Sequence, residues 1–325
     1  MTGEFESVHV FYNTPDLRPV VVNCVDPLVS ELASADLIKR FFFIRYWEGG
    51  SHIRLRLELR SGGQRERVHD IVAARIGAFL ESQPSMFDLD PVFTGPTMRV
   101  LYEFEFGKEA YVRKFGADGH IPMQENNSFR YIAYEPEYGR YGGPRGIEIA
   151  HDHFHVSSKL ALDILRDETA RHKNRILGLA FQLMLHFAWS FLEDRKKTAE
   201  FYRHYGSVFG DLRLPERMTS ELDRFFGHQA PMIFRYVNGI EQLHGKLRDT
   251  DRGVIGRHIL EAYRLRDVVA AAGRLDFDPP RTSSEDARKH LLTSYVHMTN
   301  NRLGVRTFEE FYIANMIVRS LGEAV

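Results

Sequence analysis

Three short stretches carry side chains able to bind an anion or move a proton. The first is His52-Ile-Arg-Leu-Arg-Leu-Glu58. Strand alternation puts His52, Arg54, Arg56 and Glu58 on one face and Ile53, Leu55 and Leu57 on the other. One reading is an ordinary solvent-facing strand, where long like-charged side chains splay apart at little cost. The other takes account of what precedes it: Phe41 to Trp47 reads as a buried strand and Glu48-Gly49-Gly50 as a hairpin turn. A hairpin with one apolar arm and one arginine-bearing arm makes a floor for an anionic substrate.

The second stretch, Tyr134-Glu-Pro-Glu-Tyr-Gly-Arg-Tyr-Gly-Gly-Pro144, packs aromatic, charged and glycine residues together where the chain changes character. Its glycines permit positive φ and close approach of a ligand, and Pro144 suits the first turn of a following helix. Glu137 and Arg140, three residues apart, can pair locally and so orient the guanidinium for planar recognition of a carboxylate. A loop held by aromatic packing ahead of the helix accounts for the same composition. The third stretch is His297-Met-Thr-Asn-Asn-Arg-Leu-Gly304. Asn, Arg and Gly suit a helix C-terminus, whereas His297 is the side chain suited to exchange a proton near neutral pH.

These residues need a scaffold, and the composition says which kinds are open. The chain has 325 residues, 43% hydrophobic and 27% charged, with a net charge of -1. That is the profile of a globular protein with a large core and no broad nucleic-acid footprint. The single cysteine, Cys24, excludes an intrachain disulfide and reads as a small buried hydrophobe. Met1 to Ser7 lacks the pattern of a secretory signal, which points to the cytoplasm. The apolar run Ile176 to Leu192 is short for a membrane span and carries Gln182, His186 and Ser190 at helical spacing, so it reads as a core helix with His186 a hydrogen-bonded core histidine.

Residues 1–135 alternate strand-like runs at Val8–Tyr12, Pro19–Val22, Phe41–Tyr46, His52–Leu59 and Val100–Phe106 with a helix at Arg65–Glu81. Residues 136–325 show helical periodicity near 145–167, 174–196, 197–206, 216–227, 231–249, 252–272, 283–298 and 307–322. The expected fold is α+β: an amino-terminal antiparallel sheet layer with helices, then a mostly α-helical body, the two making one integrated domain.

Taken in order, Phe42-Phe-Ile-Arg-Tyr, His52-Ile-Arg-Leu-Arg, Tyr134 to Gly143 and His297 to Gly304 resemble the thiopeptide-type bacteriocin biosynthesis domain, the glutamate-elimination domain of class I lanthipeptide dehydratases. The resemblance spans nearly the whole chain and is to the free-standing form found in split dehydratases. It implies a lyase that eliminates glutamate from glutamylated Ser or Thr of a ribosomal precursor peptide, leaving dehydroalanine or dehydrobutyrine. It also implies a separate glutamyl-tRNA-dependent glutamylating protein as partner, and no cofactor, metal, nucleic acid or membrane for this chain. Matched motif by motif, Arg54 and Arg56 take the place of the strand arginines, Glu137 and Arg140 of the charged pair, and His297 of the histidine implicated in elimination. Pro136 and Gly139 depart from the more charged, more helical segment of relatives.

The chemistry suits those residue types. Hydroxide is a poor leaving group, water having a pKa of about 15.7, whereas a glutamate carboxylate leaves as the anion of an acid of pKa about 4.3. Elimination then needs stabilisation of enolate character, a base and a place for the departing carboxylate. His297, Tyr295 or the substrate's own glutamate are candidates for the base. Two other functions compete: a pyridine synthase joining two dehydroalanines by formal [4+2] cycloaddition, which has no glutamate leaving group to manage and so less use for the arginines and His297, and a non-catalytic scaffold that binds the precursor peptide, against which the clustered Arg, Glu and His argue. His151-Asp-His-Phe-His155 lacks the spacing of a zinc site, Gly49-Gly50 and Gly62-Gly63 read as turns rather than phosphate loops, and Arg195-Lys-Lys197 reads as a solvated helix-end cluster.

Overall fold

The computed structural model describes residues 4–208, 216–247 and 253–322. Positions 248, 249 and 252, expected in helices, lie outside the described residues, as do the first three residues of the amino-terminal stretch. The chain divides into two units, Met1–Glu135 and Pro136–Val325.

In the first unit, strands β1 (Phe5–Phe11), β2 (Ile38–Tyr46), β3 (His52–Leu59) and β4 (Ser128–Tyr131) form an antiparallel sheet in the order β2-β3-β1-β4. The β2–β3 hairpin closes where Gly49 and Gly50 take φ of 75° and 117°, a conformation that costs a glycine little. On one face Val8, Val10, Phe43, Ile53, Leu55 and Leu57 are fully buried. Because the side-chain period is two, the register then commits every polar residue of β3 to the opposite face.

Two expected strands are helices. Arg18–Val20 (α1) runs through a π-helical turn at Val21–Val25 into Asp26–Ser34 (α2). Val21, Val25, Leu28 and Leu32 are buried along it at three- and four-residue intervals, a helical stripe that the valine run Val20-Val21-Val22 disguised. Helix α3 (Arg65–Ser82) follows, burying Val68, Val72, Ile76 and Phe79, and α2 packs on both α3 and β2. Val100–Phe106 belongs to α4 (Pro91–Phe106). Its alternating sequence imitates a strand, yet the buried residues are Met98 and Tyr102, four apart, which join Tyr111 of α5 (Lys108–Phe115) and Ile121 in a small core.

The regular elements of the second unit, among its described residues, are helices: α6 (Tyr138–Tyr141), α7 (Gly143–Arg166), α8 (Lys173–Leu192), α9 (Arg195–Val208), α10 (Glu216–Asn238), α11 (Ile240–Leu247), α12 (Gly253–Ala271), α13 (Ser284–Leu303) and α14 (Thr307–Ser320). Pro231 lies inside α10, so the break expected near it does not occur. Helix α8 is longer than its apolar run, at 20 residues, and is long and apolar enough to cross a membrane; 67% of its most apolar window is nevertheless buried in the protein. It packs against α12, α13 and α14 as a core helix. His186 on it is fully buried, with its ring nitrogens 2.9 Å from His244 Nε2 and 2.5 Å from the Tyr236 hydroxyl. Arg195 is not simply solvated: its Nε donates to the Leu321 carbonyl at 2.8 Å.

The glycines of the second stretch admit a neighbouring chain segment rather than a ligand. Gly142, at φ 86°, accepts from Asp276 N at 3.1 Å, and a Cβ there would stand 2.6 Å from Leu275 Cβ. Gly142→Ala is therefore expected to destabilise the protein by about 2 kcal/mol or more, from positive-φ strain plus overpacking. Urea denaturation measures it.

Candidate active site

Of the five residues singled out from the sequence, Arg54 and Arg56 belong to the first unit, and Glu137, Arg140 and His297 to the second. On the sheet, β1 opposes β3 with Ser7 across from Arg56, His9 across from Arg54 and Phe11 across from His52. The polar face therefore presents Ser7, His9, His52, Arg54 and Arg56 together. It is not solvent-facing: His52 is 1% exposed, His9 4% and Arg56 7%. The exposed-strand reading fails on that burial.

The two arginines have different surroundings. Arg54 is partly exposed, lies 3.4 Å over the Tyr46 ring, and reaches Glu48 at 3.4 Å. His52 Nδ1–H donates to the Gly50 carbonyl at 2.8 Å, which leaves Nε2 to accept the Arg54 Nε–H at 3.2 Å. Arg56 has no such company. Its guanidinium stands 5.2 Å from the Tyr134 ring centroid, and its Nη1 is buried with no hydrogen-bond partner among the described residues. Glu58, the nearest carboxylate along β3, is taken by Arg40 and Lys39. Burial, and then Arg54, push the Arg56 guanidinium down to about 9, so it remains charged at neutral pH. A buried cation with no counter-ion among the described residues is costly.

In the second unit, Glu137 immediately precedes the single turn of α6 and its side chain accepts from Arg140 Nη1 at 3.3 Å. Arg140 Nε donates to Ser294 Oγ at 3.1 Å, on α13 one turn before His297. His297, a quarter exposed, directs Nδ1 at Glu310 of α14, 3.1 and 3.2 Å from its two oxygens. Glu310 is completely buried and also accepts from the Tyr205 hydroxyl of α9. Burial and the Glu310 charge hold the Tyr205 phenol well above its ordinary range, so it serves Glu310 as a neutral donor. Facing the carboxylate, Nδ1 is the ring nitrogen that carries the hydrogen, which leaves the Nε2 lone pair free of Glu310. Tyr295, a candidate base, is fully buried and its phenol is pushed far up by burial, so it stays neutral. Arg302 is no C-cap residue: it is completely buried, with Nε on Ser158 Oγ at 3.0 Å and Nη1 on the Met298 carbonyl at 2.7 Å.

Sequence reasoning missed Ser7, His9, Glu310 and Tyr205. Alternation in Phe5–Phe11 placed Ser7 and His9 on one face, but which face met Arg56 depended on a register of partners some fifty residues apart. Burial first, then Arg56, His52 and Arg54, lower His9 to about 2; burial lowers His52 to about 3, His186 to about 3 and His258 to about 4. Each is neutral in the folded protein and protonates near 6.5 when unfolded. The unfolded state therefore binds more protons between pH 6.5 and about 4, and stability falls with falling pH across that window. The expected slope is about 1.4 kcal/mol per pH unit for each such histidine. Urea unfolding at pH 7.5 and 5.5 checks it.

The described residues thus hold, in the first unit, a sheet face with a buried guanidinium that has no counter-ion among them, and, in the second, a histidine backed by a buried carboxylate. The chain belongs to the lantibiotic biosynthesis dehydratase C-terminal family, which matches residues 7–321. Among solved structures it is similar to TbtD, the pyridine synthase from thiomuracin biosynthesis, at 17% identity and a TM-score of 0.73, covering 97% of each chain. It is similar to TsrL at 16% identity and a TM-score of 0.64, covering 98% of this chain and 94% of that one. The tRNA-dependent lantibiotic dehydratase MibB from Microbispora sp. 107891 matches at 19% identity and a TM-score of 0.56, covering 99% of this chain and 28% of MibB. At these identities the likeness is one of fold. No curated protein sequence matches the chain.

Proposed function

We propose that the protein is a lyase of peptide natural-product biosynthesis, eliminating glutamate from glutamylated Ser or Thr of a ribosomal precursor peptide to leave dehydroalanine or dehydrobutyrine. The observation that carries this reading is Arg56, a buried guanidinium with no counter-ion among the described residues. The reaction delivers one, since the α-proton leaves, the Cα–Cβ double bond forms, the Cβ–O bond breaks and glutamate departs as a carboxylate. In the first unit Arg56 and Arg54 are the groups suited to receive a glutamyl carboxylate; in the second, Arg140, held by Glu137, is a donor for negative charge, and His297, oriented by Glu310, is the group suited to move a proton. No step calls for a cofactor. The ester is installed by a separate glutamyl-tRNA-dependent protein, so tRNA contact belongs to that partner and the reaction to the cytoplasm.

One observation favours the pyridine synthase alternative: Arg54 and Arg140 are already paired with Glu48 and Glu137, and a formal [4+2] cycloaddition has no leaving carboxylate to receive. A glutamate-release assay separates the two. Free glutamate liberated from a Ser-glutamylated peptide in proportion to its esters supports the lyase. No release, with peptide bound but unchanged, favours the cycloaddition or the scaffold.

A further inference from the structure

We propose that Ser7 and His9 of β1 complete, with Arg56, a pocket for one carboxylate carried on a short aliphatic arm, and that His9 is a binding residue for the glutamyl group. The inference rests on the elimination reading and extends it to residues outside the motifs.

Three polar atoms lie buried on the same sheet face without hydrogen-bond partners among the described residues: Ser7 Oγ, His9 Nε2 and Arg56 Nη1. Ser7 and His9 are each 4% exposed. Their strands are paired, Ser7 directly across from Arg56 and His9 across from the neighbouring Arg54, so the three groups are adjacent. A single unsatisfied buried atom costs roughly 1–3 kcal/mol, and three side by side point to a shared partner with several acceptor sites. A carboxylate has two oxygens and about four lone-pair directions. Ser7 has a hydroxyl to donate, Arg56 an Nη1–H, and His9 an Nε2–H in one of its neutral tautomers. All three can donate, and the nearby carboxylates on the hairpin are already engaged, Glu58 by Arg40 and Lys39 and Glu48 by Arg54 and Lys114.

The surroundings set the kind of anion. His9 is stacked on His52, ring centroids 5.2 Å apart, and cannot swing away. Phe5, Phe42 and Tyr134 form an aromatic cluster with centroids 5.3 to 5.9 Å apart, and Tyr134 is the ring beside Arg56. Apolar rings next to a carboxylate site suit the methylenes of a glutamyl arm better than a compact, fully hydrated phosphate.

The test is calorimetric titration of the full chain with glutarate, a carboxylate on a methylene arm, and with glutaramide, its neutral counterpart. Glutarate is expected to bind and glutaramide not to. Ser7→Ala, which deletes one oxygen that has no partner, and His9→Phe are each expected to weaken glutarate about 10- to 100-fold, the value of a hydrogen bond to a charged group. His9→Gln, which restores a donor, recovers part of the loss. Unfolding curves without ligand show whether the variants are folded. Absence of glutarate binding to the unaltered protein, or equal binding by folded Ser7→Ala and His9→Phe, overturns the pocket. Glutarate binding together with failure to eliminate would sink the lyase reading and leave the pocket. Elimination without glutarate binding would do the reverse.

Discussion

Arg56→Met is expected to leave the protein at least as stable as the natural chain while elimination falls on the order of 10²- to 10³-fold, the usual loss when a preorganised donor to developing charge is removed. The two halves of that result have one cause. In the free protein the Arg56 charge is buried beside the Tyr134 ring with no counter-ion among the described residues, and an apolar side chain of similar length relieves that desolvation. In the reaction the same charge meets the carboxylate, and methionine supplies nothing. Arg54→Met should behave differently: Arg54 is paired with Glu48 and stacked on Tyr46, so its loss costs packing and gives a smaller kinetic effect. Thermal unfolding together with the rate of glutamate release measures both. A strongly destabilised Arg56→Met that still eliminates would make Arg56 a structural residue.

His297→Asn is expected to slow elimination by about 10²- to 10⁴-fold, the range for loss of a positioned acid or base. Glu310→Gln should reproduce a large part of that loss although Glu310 is completely buried behind the ring. A glutamine still accepts from Tyr205 and from Nδ1–H, but it no longer stabilises the imidazolium formed when Nε2 takes a proton. The double variant should be little worse than His297→Asn alone, because the two residues act as a unit. The double-variant cycle is the discriminating readout: losses that fail to add tie Glu310 to the histidine, an effect that packing loosened elsewhere would not produce. Additive losses would detach Glu310 from the proton transfer.

What was legible in the sequence followed from periodicity. Residues 52–59 alternate strictly, and they form β3 with Arg54 and Arg56 on one face. The mostly helical second unit was equally plain in its spacing. Alternation misled at Val100–Phe106, because in α4 the exposed Phe104 and Phe106 mimic the buried side of a strand. The short β4 went unseen, since four residues carry too little pattern to register. The site was legible only one side chain at a time. Arg56 could be named, but that it is buried and unpaired depends on β1 being its neighbour and on Glu58 turning to Arg40. Glu310 sits in the first turn of α14, where a carboxylate serves the helix dipole as a matter of course, so nothing local marked it as the partner of His297.

The most direct measurement is mass spectrometry of a Ser-glutamylated precursor peptide incubated with this protein alone, without tRNA or ATP. The account predicts loss of glutamate from each esterified site, with dehydroalanine in its place. An unchanged glutamylated peptide, alongside macrocycle formation when an already dehydrated peptide is supplied, would contradict it and assign the protein to the cycloaddition.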